Sequence, residues 1–240
     1  MGERLLAPAK LTTSLRITGV RGDGYHLIDA EMVSLDLADE LVVGPGDDLR
    51  IATADGGFEV AENDNLVLRA LEVVGTTADI ALTKRIPAGA GLGGGSSDAA
   101  AVLRWAGGID LQTAASIGAD VAYCMVGGRA RVGGIGEIVE PLDHVPATYT
   151  LLTPPFGVST PVVYRAWDAL GGPSGDRGND LEPAALAAYP ELEAWRDALA
   201  TQTGAQARLA GSGGTWFVEG AHGAVVHEGV RARVVVTVDR

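Results

Sequence analysis

The chain of 240 residues carries 18 lysines and arginines against 31 aspartates and glutamates, which gives a formal net charge of −13. This charge disfavours general binding to nucleic acid or to an anionic membrane, so a polyanion could bind only at one local site. The single cysteine, Cys124, excludes a disulfide scaffold, fits a reducing compartment and is expected to be a small core residue. The sequence contains no apolar run of the ~20 residues that a membrane helix needs. The first ten residues lack the pattern of a secretory signal. We therefore expect a cytoplasmic protein that binds neither membrane nor nucleic acid.

The first part of the chain alternates apolar and polar residues with the period of β-strands. Strands are predicted there over residues 11–20, 49–53 and 78–86, with one or two strands over residues 28–43 and a turn at 21–24. Between the last two strands, Asn63, Asp64 or Asn65 is expected to cap a helix. The apolar face of this helix runs from Leu66 to Val74. Pro87 ends the last of these strands, and a glycine-rich segment follows it.

After the glycine-rich segment, helical and strand patterns are mixed. Ser96, Ser97 or Asp98 is expected to cap a helix that runs to about Trp105. Further helices are predicted at 112–117, 120–125, 160–170 and 181–203, the last broken at Pro190. Further strands are predicted at 129–132, 137–139, 149–153, 207–209, 215–218 and 234–238. Because helices and strands do not alternate regularly, we predict an α+β fold, with domains at residues 1–145 and 146–240.

The glycine-rich segment is the most informative part of the sequence. Five of the seven residues from Gly89 to Gly95 are glycine, and the segment lies between a predicted strand and a predicted helix. Such a loop lets backbone N–H groups converge on an anion, and the helix N-terminus adds the positive end of its dipole. The hydroxyl groups of Ser96 and Ser97 can bind phosphate or Mg²⁺ as well as cap the helix. The segment therefore predicts an anion-binding loop.

Two other glycine motifs fit the segment less well. Gly89, Gly91 and Gly94 have the G-x-G-x-x-G spacing of a dinucleotide site, with Asp110 at about the right distance for a ribose contact. However, residues 106–109 would make a poor strand to present that acid. The Walker A spacing is also present, but Gly95 stands where that motif requires lysine. Any charge that balances a triphosphate must therefore come from a metal ion, the helix dipole and a lysine elsewhere in the chain.

The chain has only two lysines, Lys10 and Lys84, against sixteen arginines. A position that keeps lysine in such a composition can require a compact point charge in place of a planar guanidinium. Lys84 is expected to be a solvated strand residue, with a contact to a nucleotide as the alternative.

Residues 87–100, Pro-Ala-Gly-Ala-Gly-Leu-Gly-Gly-Gly-Ser-Ser-Asp-Ala-Ala, resemble the phosphate loop of the GHMP small-molecule kinases. Four further segments agree with this family in their order along the chain. They resemble the N-terminal lysine motif at 7–11, a cytidine-binding segment at 21–26, the catalytic aspartate motif at 118–121 and the third kinase motif at 210–215. The segments at 157–161 and 179–183 also look similar to the family. The resemblance thus covers nearly the whole chain.

The resemblance implies a two-domain GHMP kinase fold, with an S5-like N-terminal domain and a ferredoxin-like C-terminal domain. It also implies ATP-dependent phosphorylation of the tertiary 2-hydroxyl of a cytidine-diphosphate-linked methylerythritol, in the non-mevalonate route to isoprenoid precursors. ATP and Mg²⁺ are the implied cofactors, and a monomer or homodimer is expected. Two alternatives stay open, namely another small-alcohol kinase of the superfamily and a non-catalytic nucleotide-binding paralogue.

The resemblance also implies roles for individual residues. Asp120 would be the base that accepts the hydroxyl proton, and Lys10 would keep Asp120 ionised and stabilise charge on the γ-phosphoryl oxygens. The nucleotide would be bound by residues of the loop and of a segment near adenine: Asn65, Leu66, Pro87, Gly89, Ala90, Gly91, Leu92, Gly93, Gly94, Gly95, Ser96 and Ser97. Ser97 would also help to position Mg²⁺.

The remaining implied residues belong to the substrate site. Tyr25 and Tyr164 would sandwich the cytosine ring, and His26 would form a hydrogen bond with its edge. The other substrate-binding residues would be Thr12, Thr160, Gly211, Ser212 and Gly213. The turn formed by the last three is expected to approach either the substrate phosphates or the region of Lys10. Thr12 departs from the family, which usually has asparagine at this position.

Overall fold

The computed structural model of the chain describes residues 2–53, 58–59 and 65–239. The first of its two larger sheets has seven strands: β1 (Glu3–Val20), β2 (His26–Gly44), β3 (Leu49–Thr53), β4 (Phe58–Glu59), β5 (Asp79–Lys84), β6 (Arg129–Gly134) and β7 (Ile138–Leu142). Their order is β4-β3-β5-β2-β6-β7, and β1 pairs with β2 outside this path. The β3–β5 pair is parallel, and the other pairs in this sheet are antiparallel.

The β1–β2 hairpin carries Lys10 on β1, and its second strand also pairs with β5 and β6. Its strands are joined by the predicted turn, which is closed by a hydrogen bond from Arg21 N to Tyr25 O (2.8 Å). The pairing register shifts between Pro8 and Lys10, which is typical of a β-bulge. At the shift, Lys10 N donates to Leu92 O (2.9 Å) in the glycine loop. The irregularity in β1 thus connects this strand to the glycine loop.

Four helices accompany the first sheet: α1 (Leu66–Val74), α2 (Gly94–Trp105), α3 (Leu111–Ile117) and α4 (Val121–Val126). Asn65 caps α1 by accepting a hydrogen bond from Val67 N (2.9 Å), as predicted. Its alternatives Asn63 and Asp64 lie outside the described residues.

The cap predicted for α2 at Ser96, Ser97 or Asp98 is wrong. The helix already begins at Gly94, and its N-cap is Gly93 with φ 69°. Glycine adopts this left-handed conformation without the clash of a Cβ atom, so the helix extends into the glycine run. The serines therefore lie in the first turn of the helix.

The second sheet has four strands in the order β13-β8-β10-β9. They are β8 (Thr148–Leu152), β9 (Arg208–Leu209), β10 (Trp216–Glu219) and β13 (Arg233–Val236), and a separate two-stranded hairpin consists of β11 (Val226–His227) and β12 (Val230–Arg231). Three helices complete this part: α5 (Thr160–Ala169), α6 (Glu182–Ala188) and α7 (Leu192–Thr203). The predicted break at Pro190 is confirmed, because it separates α6 from α7.

The two sheets share a hydrophobic core. Ala9, Leu11 and Leu35 of the first sheet are fully buried in one cluster with Leu151 and Phe217 of the second sheet. The division into domains at 145 and 146 stays a prediction. The prediction for Cys124 is confirmed, because the residue is buried, and burial raises the pKa of its thiol to about 12. Among the described helices, none is long and apolar enough to cross a membrane.

Candidate active site

The glycine loop, residues 86–95, lines a cavity of about 400 Å³. Lys10, Lys84 and Asp120 also face this cavity. Most of the residues predicted to bind nucleotide line it, namely Asn65, Leu66, Pro87, Gly89, Ala90, Gly91, Leu92, Gly93, Gly94, Gly95 and Ser96, together with Thr160 and Ser212 from the predicted substrate set. The structure therefore places the loop, both lysines and the expected base around one space.

Two glycines of the loop occupy positions that exclude a side chain. Gly91 has φ 75°, and a Cβ atom there would lie 2.8 Å from the carbonyl oxygen of Ala210. Gly93 has φ 69°, and a Cβ atom there would lie 2.7 Å from Cγ of Lys10. Since L side chains rarely adopt such positive φ values, both positions require glycine for conformation and for space. The absence of side chains lets the loop approach β1 and the 210–214 turn.

Lys10 and Asp120 form an ion pair at the cavity, with 3.1 Å between Lys10 Nζ and Asp120 Oδ2. The side chain of Lys10 is 7% exposed and that of Asp120 is 31% exposed. Asp120 lies directly before α4, so the fold brings together two residues that are far apart in sequence. Lys10 Nζ also donates to Thr12 Oγ1 (3.1 Å), which is itself buried. The ammonium is thus fixed from β1 while the carboxylate stays accessible to a ligand.

The 211–213 turn approaches Lys10. A Cβ atom on Gly211 would lie 3.4 Å from Thr12 Oγ1 and 3.5 Å from Lys10 Nζ, so the turn packs against this pair. Ser212 Oγ lies 2.7 Å from Thr160 Oγ1, in hydrogen-bond contact at the N-terminus of α5. Of the two surroundings expected for this turn, the structure places it against the region of Lys10.

Ser97 does not take the position expected of a Mg²⁺ ligand. Its hydroxyl donates to Pro8 O (2.7 Å), and the residue is 1% exposed. It faces a second cavity, which it lines together with Ser34 and Tyr123. The rotation of successive residues around α2 directs Ser97 toward β1, whereas its neighbour Ser96 lines the cavity beside the glycine loop. Of the two serines, Ser96 is thus the one that lines the cavity.

The predicted substrate residues His26 and Tyr164 lie together. Their ring centroids are 4.8 Å apart, and His26 Nε2 lies 2.8 Å from Asp168 Oδ1. Burial, together with the nearby Asp120 carboxylate, raises the pKa of Tyr164 far above its ordinary value, so its hydroxyl stays protonated. Tyr25 is 59% exposed. The cytosine sandwich between Tyr25 and Tyr164 stays a prediction.

Lys84 is not the solvated strand residue that was expected. Its ammonium contacts Asp39 Oδ2 and lies 2.6 Å from Asp98 Oδ2, and both carboxylates are buried. Burial lowers the pKa of Lys84, but the two carboxylates outweigh it and hold this pKa above its ordinary value. Burial raises the pKa of Asp98 to about 7, with a further contribution from the like charge of Asp39 and opposition from Lys84. The strand pattern did not reveal that β2 and α2 place acids against this lysine.

Three residues close to the site were not predicted from the sequence. Asp168 and Trp167 both contact His26, with Trp167 forming an edge-on ring contact at 5.3 Å. Asp168 follows Tyr164 by one helical turn, so the i, i+4 relation could have indicated it. Asp39, the buried partner of Lys84, carries no such local signal because its role depends on the pairing of β2 with β5.

Comparisons with known proteins agree with this geometry. Residues 65–128 match the model of the GHMP kinases N terminal domain. A 4-diphosphocytidyl-2-C-methyl-D-erythritol kinase of Paracoccus denitrificans is 39% identical over 89% of this chain and 85% of its own length. One of Geobacillus thermodenitrificans is 36% identical over 95% of this chain and 90% of its own length.

Solved structures of kinases are also similar to this chain. A crystal structure of 4-(cytidine 5'-diphospho)-2C-methyl-D-erythritol kinase superposes with a TM-score of 0.77 at 31% identity, over 98% of this chain and 99% of the other. The mevalonate kinase of Methanococcus jannaschii shares the fold alone, with a TM-score of 0.57 at 12% identity, over 100% of this chain and 99% of the other. The α+β GHMP kinase fold and the resemblance found in the sequence are both confirmed. The chain belongs to the 4-diphosphocytidyl-2-C-methyl-D-erythritol kinase family of the GHMP kinases.

Proposed function

We propose that this protein uses ATP to phosphorylate the 2-hydroxyl of 4-diphosphocytidyl-2-C-methyl-D-erythritol, in the non-mevalonate route to isoprenoid precursors. The observation that carries the proposal is the Lys10–Asp120 ion pair at 3.1 Å, placed on the cavity that the glycine loop lines. A base and a fixed positive charge beside a phosphate-binding loop are the groups that transfer to an alcohol requires.

In this mechanism, Asp120 accepts the proton of the substrate hydroxyl as the hydroxyl oxygen attacks the γ-phosphorus. Lys10 orients the Asp120 carboxylate and stabilises the negative charge on the transferred group. Thr12 holds the Lys10 ammonium through its hydrogen bond, so the positive charge is already in position before the reaction. The low exposure of Lys10 strengthens this electrostatic effect, because little water competes for the ammonium.

The glycine loop binds the phosphates of ATP through backbone N–H groups, and the N-terminus of α2 adds its dipole. The residues present also fit a Mg²⁺ ion, which prefers oxygen ligands and keeps phosphates and water in its coordination shell. Ser96 and Asp120 offer oxygen atoms at the cavity. When bound with ATP, Mg²⁺ supplies neutralisation of phosphate charge.

His26, Tyr164 and Asp168 bind the cytidine part of the substrate in this proposal. The Asp168 carboxylate accepts from His26 Nε2, which fixes the imidazole and leaves its other nitrogen for a base edge. Tyr25, at the exposed turn after β1, closes on the opposite face of the cytosine ring. A domain division at 145 and 146, a cytoplasmic location and a monomeric or homodimeric state remain predictions.

The proposal is tested by coupled measurement of ADP release with the purified protein, ATP, Mg²⁺ and the cytidylyl substrate. Asp120→Asn keeps the shape of the side chain but removes the base. We expect its kcat to fall by about 10²–10⁴-fold, while calorimetric affinity for ADP stays near that of the parent protein. Lys10→Met is expected to give a similar loss. Arg131→Met, which breaks an exposed ion pair with Asp29, is the matched control.

The outcomes separate the alternatives. ADP binding without turnover of this substrate or of other small alcohols would identify a non-catalytic paralogue. Turnover with a small alcohol that lacks the cytidine diphosphate group would favour another kinase of the superfamily. Equal kcat in Asp120→Asn and the parent protein would remove Asp120 as the base.

A further inference from the structure

Lys84 is the last residue of β5, two residues before the glycine loop begins at residue 86. Its ammonium is held between Asp39 of β2 and Asp98 of α2, at 2.6 Å from Asp98 Oδ2. Asp39 is 0% and Asp98 is 2% exposed. Three elements of the fold therefore meet in one buried cluster, which we call the loop clamp: Asp39, Lys84 and Asp98.

The loop clamp reaches both ends of the glycine loop. At the start of the loop, Asp39 Oδ1 accepts the backbone N–H groups of Arg85 (2.5 Å) and Ile86 (2.8 Å). At its end, Asp98 lies in the second turn of α2, the helix whose N-terminus follows the loop. Lys84 connects these two carboxylates. The cluster thus fixes where the loop leaves β5 and where it enters α2.

Lys84 is also in close contact with the loop itself. A Cβ atom on Gly94 would lie 3.1 Å from Lys84 Nζ, so the ammonium supports the backbone at this glycine. Its positive charge, however, is balanced by two adjacent carboxylates. An ammonium that is paired with two anions attracts a phosphate weakly, because the cluster as a whole carries no net positive charge.

We infer that the loop clamp positions the phosphate loop, and that Lys84 acts on nucleotide affinity through this loop and not as a ligand of the phosphates. Lys84, Asp39 and Asp98 are then positioning residues for the reaction. The inference rests on the nucleotide site proposed above, and it assigns a role to the lysine that the catalytic mechanism does not use.

Calorimetric titration of the full-length protein with ADP and Mg²⁺ tests the inference, because the two roles of Lys84 predict opposite signs for Asp98→Ala. If Lys84 binds phosphate, removal of the carboxylate frees the ammonium and ADP binds more tightly. If the loop clamp acts as inferred, the variant loses the ion pair between Lys84 and Asp98 that fixes the loop relative to α2. The Kd for ADP then rises about tenfold. Asp98→Asn, whose amide oxygen can still accept from Lys84 Nζ, is expected to restore most of the affinity.

A double-mutant cycle gives the second measurement. Lys84→Met is expected to weaken ADP binding as well. The double variant, Lys84→Met with Asp98→Ala, is expected to bind ADP no more weakly than the weaker-binding single variant, because both changes disrupt the same cluster. In turnover, the KM for ATP should rise in the single variants while kcat changes less. Arg50→Met is the matched control, because Arg50 also pairs with two aspartates, Asp48 and Asp79, but at an exposed site.

Tighter or unchanged ADP binding in Asp98→Ala would overturn the inference, as would additive losses in the cycle. Thermal unfolding identifies any variant that does not fold. Such a variant is replaced by the more conservative Lys84→Arg or Asp98→Asn, and its affinity for ADP is compared with that of the parent protein in the same way. ADP binding does not require the cytidylyl substrate. Failure of the parent protein to phosphorylate that substrate would therefore count against the proposed function. The role of the loop clamp is tested separately, by whether the Kd for ADP rises or falls in the variants.

Discussion

At the scale of single residues, Thr12 controls the position of the Lys10 ammonium. A hydrogen bond to a charged group contributes about 1.5–3 kcal/mol, and this one joins two buried side chains at 3.1 Å. Thr12→Val keeps the shape of the side chain and removes the acceptor, so we expect kcat to fall by about tenfold or more. ADP affinity should change little. Steady-state kinetics measure kcat, and calorimetry measures the affinity for ADP. Thr12→Ser is the control, because it keeps the hydroxyl. An unchanged kcat in Thr12→Val would contradict the role assigned to this hydrogen bond.

Asp168 is the second residue with a specific expected effect. Its carboxylate accepts from His26 Nε2 at 2.8 Å, and His26 is one of the residues proposed to bind the cytidine part of the substrate. Asp168→Ala should raise the KM for the cytidylyl substrate by about tenfold, since it removes one hydrogen bond to a positioned imidazole. The Kd for ADP should not change. Asp197→Ala, at an exposed ion pair on α7, is the control, and an unchanged KM in Asp168→Ala would show that His26 needs no such partner.

The sequence predicted single residues where a motif carried them, and it failed where a partner came from another element. Lys10 and Asp120 were chosen on motifs, and the structure brings them together. Lys84 was predicted to be a solvated strand residue, yet the acids that pair with its charge come from β2 and α2. Spacing along one strand gives no information on which side chains face it from neighbouring elements.

At the scale of elements, the start of α2 sets the shape of the glycine loop. Gly93→Ala introduces a Cβ atom at φ 69°, 2.7 Å from Cγ of Lys10. We expect this variant to lower both the melting temperature and kcat, because the helix start and the lysine must shift together. Gly95→Ala is the control for stability, since its Cβ atom would meet only Leu66 Cδ1 at 3.8 Å within helical backbone. A Gly93→Ala variant with the parent melting temperature would contradict the expected strain.

Most helices and longer strands were predicted near their observed positions, whereas three strands of two residues were not predicted. The sequence pattern located α1, α5 and β2, whereas β1 was predicted only from residue 11 and begins at Glu3. Strands of two residues, such as β4, β11 and β12, contain too few positions for any period to be recognised. Their pairing depends on neighbours brought close by the fold, which a single sequence does not record.

At the scale of the whole molecule, β1 is hydrogen-bonded to the segment between α5 and α6. Leu15 N donates to Gly178 O (2.9 Å), and Asp180 N donates to Leu15 O (3.0 Å). The residues after α5 thus pair with the strand that carries Lys10. The sequence predicted the α+β class but not this connection, because it depends on contacts between residues far apart in the chain.

Asp180 holds this connection and should make it depend on pH. Its carboxylate accepts from Arg16 (2.6 Å) and from the N–H groups of Ile17 (2.9 Å) and Gly175 (3.0 Å). Burial raises the pKa of Asp180, but these donors outweigh it and hold the pKa below its ordinary value of 3.8. The ionised carboxylate therefore stabilises the folded state at pH values above 3.8, and this contribution is lost as the pH falls through the lowered pKa.

Asp180→Asn is accordingly expected to lower the free energy of unfolding by about 1–3 kcal/mol near neutral pH. The difference from the parent protein should shrink as the pH falls below the ordinary pKa of the carboxyl, because protonation then removes the same charge from the parent. Urea unfolding of the parent protein and of Asp180→Asn at several pH values measures the two free energies of unfolding. Asp48→Asn, which weakens an exposed pair with Arg50, should show little difference at any pH. A difference for Asp180→Asn that stays constant down to acidic pH would mean that the charge of Asp180 does not hold the C-terminal half against β1.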